Sequence, residues 1–136
     1  MADTRDAATV DDTKMARKQV IKQQIMTGVF VANDTDYHVM EFDIDARGGL
    51  TFGATNESNK DMEMTLYGAF ESGVDPSGEA AFPIDTTGFT ISAGTSDYAT
   101  TTDRFPYYLV RCKFAATPDG ENVTIKLCSW EAMSFQ

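Results

Sequence analysis

Apolar and polar residues alternate along most of the chain after residue 27. Between Arg104 and Met133 the run RFPYYLVRCKFAATPDGENVTIKLCSWEAM puts Tyr108, Val110, Cys112 and Phe114 on one face of an extended segment. Val123, Ile125 and Leu127 share one face of a second segment. A period of two marks half-buried strands. The insert Thr117-Pro118-Asp119-Gly120-Glu121-Asn122 between them carries turn chemistry, so the pattern predicts a β-hairpin that serves as the spine of the fold. Tyr37–Asp45 alternates as well, with His38, Met40, Phe42 and Ile44 inward and Tyr37, Val39, Glu41, Asp43 and Asp45 outward. Leu50, Phe52 and Ala54 point inward from the next segment. Met62, Met64, Leu66 and Phe70 do so from the one after, with Gly68 in line. Short strands are also expected at Val29–Ala32, Ala80–Ile84 and Gly88–Ala93, while the Ser/Thr-rich stretch Gly94–Asp103 reads as a loop. About eight short strands with turn signals every 8–12 residues predict an all-β domain, an antiparallel β-sandwich or barrel.

The first 27 residues read differently. Residues 1–13 are small and polar without a period. Asp12 or Thr13 can cap a helix, and Met15–Met26 is made of good helix formers with a narrow apolar face of Val20, Ile21 and Ile25. The expected division is an N-terminal arm over 1–27, a short helix or a segment without fixed structure, and a sandwich over 28–136.

Charge sharpens that division. The 136 residues hold 11 Lys and Arg against 21 Asp and Glu, a formal net charge of -10. Residues 1–27 carry five basic side chains (Arg5, Lys14, Arg17, Lys18, Lys22) against four Asp, so the rest of the chain holds about -11. An acidic body disfavours nucleic acid, whose phosphates require cations, and an anionic membrane surface. No stretch approaches the ~20 apolar residues of a membrane helix. The N-terminal MADTRDAATVDD lacks the apolar run of a secretory signal, so the expectation is a chain made and folded in a cytoplasm.

Candidate chemistry is sparse. His38 is the one histidine and sits on the apolar side of its strand, where a structural role is expected. Cys112 and Cys128 fall on opposite faces by alternation, so neither a disulfide nor a zinc site is expected. Asn33-Asp34-Thr35-Asp36 offers three oxygens to a cation but lacks the Gly and distal Glu of a calcium loop. The Asn-x-Ser/Thr triplets at Asn33, Asn56 and Asn122 read as chance matches without a secretory signal. No nucleophile elbow or Cys-His signature appears. The expectation is no catalytic residue, no metal and no cofactor. Phe105, Tyr107, Trp130, Tyr37 and Tyr67 fall outward by alternation. They are either covered by the second sheet or form an apolar patch for a partner or a sugar.

The closing run resembles small β-sandwich proteins of tailed-bacteriophage virions. The matching residues are Pro106-Tyr107, Val110, Phe114 and Ala116-Thr117-Pro118, then Val123-Thr124-Ile125-Lys126-Leu127, with Arg111 and Cys112 where small or β-branched residues are usual. The plan of an N-terminal arm on an acidic β domain is similar to capsid decoration, or cement, proteins. That resemblance implies a β-sandwich or jelly-roll-like domain without active-site residues, located in the virion. It often assembles as a homotrimer and clamps the major capsid protein or another virion protein. The arm residues Lys14, Arg17, Lys18, Val20, Ile21 and Ile25 are the expected partner contacts. Two other readings stay open: a carbohydrate- or receptor-binding module stacking sugars on Tyr98, Tyr107 or Trp130, and a minor tail or head-tail connector protein.

Overall fold

The computed structural model describes residues 3–6, 8–15, 21–45, 48–84 and 89–132. Those residues form eleven strands: β1 (Asp3–Asp6), β2 (Ala8–Met15), β3 (Ile21–Val31), β4 (Tyr37–Phe42), β5 (Gly49–Asn56), β6 (Met62–Ala69), β7 (Phe82–Pro83), β8 (Phe89–Ile91), β9 (Thr95–Thr101), β10 (Tyr107–Phe114) and β11 (Asn122–Ala132). They make two sheets. The first runs β1-β4-β10-β6-β7, with β8 also on β6. The second runs β2-β3-β11-β5-β9. Every pairing is antiparallel except β1 with β4. The fold is an all-β sandwich.

The alternation placed the core correctly. Met40, Phe42 and Ile44, then Leu50, Phe52 and Ala54, Met62, Met64 and Leu66, and the inward residues of β10 and β11 pack into one buried cluster between the sheets. Each large apolar side chain buried there is worth ~1.5–3 kcal/mol, so the core fixes which face of each strand is inside. Phe70 departs from this pattern. β6 ends at Ala69, and Phe70, one residue past it, is 64% exposed. Val39 departs the other way. It is buried with Leu109 and Ala69 on the second face of the first sheet, where Tyr67, Val74 and Tyr107 pack against it. Glu41 fixes the loop that carries Val74. One carboxylate oxygen accepts from Ser72 Oγ at 2.6 Å and the other from the Gly73 N–H at 2.7 Å.

The predicted spine is not a hairpin. β10 pairs with β4 and β6 in one sheet, and β11 pairs with β3 and β5 in the other. The Pro-Asp-Gly segment therefore crosses from sheet to sheet. It is tied to the second sheet on arrival: Gly120 N–H donates to Ala32 O (2.8 Å), Ala32 N–H to Glu121 O (2.9 Å) and Glu57 N–H to Asn122 O (3.1 Å). Gly120 has φ 87°, a left-handed conformation that favours glycine.

Two further expectations are corrected. The helix over Met15–Met26 is absent where the structure describes the chain. β2 runs to Met15, and β3 crosses from Ile21 to Val31 without a break at position 27. Helix propensity is a weak prior, and strand pairing to β11 along eleven residues overrides it here. The stretch Gly94–Asp103 is mostly strand, β9, paired along β5. Its Thr and Tyr residues suit an edge strand, although its polarity resembles a loop.

Candidate binding surfaces

At one end of the sandwich three phenylalanines stand together. Phe70 and Phe82 lie 5.2 Å apart between ring centroids, and Phe105 lies 5.8 Å from each, nearly parallel to Phe82. Phe82 is 40% exposed beside the 64% of Phe70. Two local devices build the corner. Tyr108 Oη accepts from the Phe105 N–H (3.2 Å) and donates to Asp103 O (2.8 Å), which locks the turn before β10. Gly68 gives Phe105 a seat: a Cβ there would overlap the ring. Burial raises the Tyr108 phenol above its ordinary value, and the Phe105 amide pulls the other way. Asp43, Asp45 and Arg104 line a groove of about 420 Å³ beside Phe105, with Arg104 Nη2 3.2 Å from Asp45 Oδ1. The corner thus offers exposed aromatic faces next to carboxylates.

The outer face of the second sheet is a different surface. On β3 it shows Val29 and Val31, each 48% exposed. Thr124, Lys126 and Cys128 of β11 lie beside Val29, Thr27 and Ile25. Across β5, Gly53 pairs with Tyr98 of β9, which is 70% exposed. A Cβ at Gly53 would overlap Asp97 O, so only glycine permits this close approach. The result is a shallow groove of about 300 Å³ floored by Gly53 and walled by Tyr98, Thr124 and Lys126.

His38 lies between the sheets at the edge. Its ring stacks on Phe30 at 4.2 Å and 15°. Nδ1 is 3.2 Å from Asp6 Oδ2, and Nε2 is 3.0 Å from Asp34 Oδ1. Cys112 is paired opposite it on β10. A histidine, a thiol and carboxylates therefore do converge, which alternation alone did not reveal. The chemistry is the reverse of an activated nucleophile. Both ring nitrogens are engaged by carboxylates, and the buried thiol is pushed well above its ordinary value, first by desolvation and then by Asp6. A nucleophilic thiolate needs a lowered value and access. The cluster instead pins β1, through Asp6, and the β3–β4 turn, through Asp34, to the sandwich.

The other residues singled out from sequence are dispersed. Among the described residues no three His, Cys, Asp or Glu side chains gather as metal ligands, and Asp34 accepts from Asp36 N–H within its turn. Cys112 and Cys128 form no disulfide and lie on different sheets. Tyr37 lies under the Arg111 guanidinium at 3.5 Å. Tyr107 and Tyr67 pack in the cluster that holds Val39. Of the arm contacts, Lys14 lies on β2, Ile21 and Ile25 lie on β3, and Arg17, Lys18 and Val20 fall outside the described residues. The alternation placed Phe70 inward and passed over Phe82, because each lies at or past a strand end, where alternation stops.

No family model and no curated protein matches this chain. Solved structures do. A structure of Bacillus endospore appendages, described as disulfide-linked pili, is 14% identical over 87% of this chain and 93% of that chain, with a TM-score of 0.51. The pre-peptidase C-terminal domain of a collagenase from Bacillus anthracis is 14% identical over 77% and 87%, at 0.46. The K3 cleaved adhesin domain of Lys-gingipain from Porphyromonas gingivalis is 14% identical over 76% and 74%, also at 0.46. At such identity the appendage structure supports the sandwich fold and nothing finer.

Proposed function

We propose that the chain is a non-catalytic structural protein that works by adhering to other protein surfaces, as a capsid decoration protein does in the virion of a tailed bacteriophage. The observation that carries this reading is the aromatic corner. Phe70 and Phe82 remain exposed although a core lies beside them, and Gly68 and Tyr108 hold the third ring in place. Rigid, exposed aromatic rings are the residue type that anchors protein interfaces, and a preformed patch loses little entropy on docking. The acidic groove beside it suits a basic surface on a major capsid protein or another virion protein. The positions Lys14, Arg17, Lys18, Val20, Ile21 and Ile25 are proposed as a second contact.

Cosedimentation with capsid shells stripped of accessory proteins tests this. The wild-type chain is expected in the pellet. The Phe70→Ser/Phe82→Ser variant is expected in the supernatant with an unchanged circular dichroism spectrum. Equal pelleting of the folded variant removes the corner from the account. A wild-type chain that stays soluble with every shell tried removes the virion reading. Because residues 1–27 supply β1, β2 and much of β3, charge reversal at Lys14 and Lys18, rather than deletion, is the matching probe of the basic segment.

A second reading rests on Tyr98. Its exposed ring over the Gly53 floor, with Thr and Lys donors around it, has the parts needed to stack one sugar ring and bond its hydroxyls. A glycan array read with Tyr98→Ala as control tests it. Glycan binding by the wild type that the variant loses would replace the first reading.

A further inference from the structure

We propose that His38 is a pH-sensitive clasp: with a proton on each ring nitrogen it ties β1 and the β3–β4 turn to the sandwich, and loss of one proton loosens both. Proton counting carries the proposal. Nδ1 lies 3.2 Å from Asp6 Oδ2, and Nε2 lies 3.0 Å from Asp34 Oδ1. An ionised carboxylate only accepts, so each contact needs an N–H from the ring. A neutral imidazole has one N–H and one lone pair, and only the imidazolium donates twice. The arrangement is therefore complete with the ring charged. Once a proton leaves, one nitrogen turns its lone pair on a carboxylate oxygen. Flipping the ring within its stack on Phe30 does not repair this, because it turns carbon atoms toward both carboxylates.

The surroundings make the ring the group that changes. Asp6 reaches it from β1 and Asp34 from the β3–β4 turn, while Cys112 stands opposite on β10 and β3 supplies the Phe30 ring. Burial, and then Asp6, keep the Cys112 thiol protonated well past its ordinary value, so it adds no charge. Asp34 is the more exposed carboxylate, 39% against 19% for Asp6, so water replaces its bond first and frees the turn. The same Asp34 oxygen accepts from the Asp36 N–H at 3.1 Å, which makes that amide a marker of the turn. The bond left to Asp6 then has a neutral donor, and charge-assisted bonds are about twice as strong. β1 is four residues long and pairs only with β4, at one edge of the first sheet, so its hold depends on that bond. Acid thus closes this edge of the sheet, and rising pH opens it.

His38 is the one histidine of the chain, so nitrogen NMR of the full chain follows both ring nitrogens without overlap. The range to cover is about pH 5 to 8, where histidine titrates. Hydrogen exchange of the Asp3–Asp6 and Asp36 amides, corrected for its intrinsic pH dependence, is read in the same samples. Both nitrogens are expected to be protonated where these amides are protected. Protection is expected to fall at least about tenfold as pH rises, with the midpoint of the ring titration. In Asp34→Asn the new amide can donate to Nε2 of a neutral ring, which keeps Nδ1–H for Asp6, so protection of β1 should be level across the range. His38→Gln has no proton to lose and should be level too, and it guards against a folding defect in the first variant. Circular dichroism confirms folding of both. A wild-type ring with one proton while β1 is fully protected, wild-type protection that stays level, or a folded variant that keeps the wild-type pH profile overturns the proposal.

Discussion

Replacing Gly68 by alanine tests the aromatic corner without altering any ring. The new Cβ would lie within 2.5 Å of three carbons of Phe105. The ring cannot slide without displacing its neighbours. Phe70 and Phe82 flank it at 5.8 Å and Tyr108 meets it edge-on at 6.4 Å, so it must leave its seat. That forfeits aromatic pairs worth ~0.5–1.5 kcal/mol each and the burial of a half-covered phenylalanine, worth about 1 kcal/mol. The lower ends of these values sum to about 2.5 kcal/mol, so the expected loss is about 2–3 kcal/mol, in the range of overpacked cores. For a domain of this size that lowers the melting temperature by about 10 °C. Urea unfolding followed by circular dichroism and by Trp130 fluorescence measures it, with an unchanged slope marking a native-state effect. The deciding comparison is a cycle with Phe105→Ala. Once the ring is gone, alanine at position 68 meets no obstacle, and it reduces the freedom of the unfolded chain, so its effect should lie within about 0.5 kcal/mol of zero or be stabilising. The coupling between the two changes is then about 2 kcal/mol. Additive losses would refute the seat.

Other outcomes follow from buried groups. Asn56→Ala should cost about 3 kcal/mol in the same urea assay. It removes the donor to Lys60 O (2.7 Å) and Ile91 O (3.1 Å) and the acceptor for Ser58 Oγ (2.6 Å), leaving buried groups unpaired. His38→Ala should speed amide exchange of Asp3–Asp6 at least about tenfold, because it removes a side-chain clamp on β1. Exchange unchanged at β1 would place its anchor elsewhere. Cys112 holds its proton in the folded state beyond the value at which the unfolded chain releases it. Its contribution is therefore complete below the ordinary thiol value of ~8.5 and is lost as pH rises past it, by up to ~1.4 kcal/mol per pH unit. Cys112→Val should flatten stability between about pH 8.5 and 10, and a thiol reagent on the native wild type should label Cys128 well before Cys112.

Alternation determined the inward face of β4, β5, β6, β10 and β11, because burial on one side of a pleated segment is a local, period-two property. Tyr108 to Phe114, Val123 to Leu127 and Met62 to Leu66 needed no partner to be assigned inward. Two strands that pair side by side and two that face each other across a core carry the same alternation, however, and their sequences do not distinguish the cases. The tertiary structure alone decided that β10 and β11 lie in different sheets, through the bonds of Gly120, Ala32 and Glu57 at the crossing. It likewise decided that Ile21–Val31 is strand, because eleven cross-strand pairings outweigh a weak preference for helix. It brought Phe70, Phe82 and Phe105 from three separate loops and edges to one corner. Sequence fixes each residue's local surroundings, but a surface is shared by residues that only long-range contacts bring together.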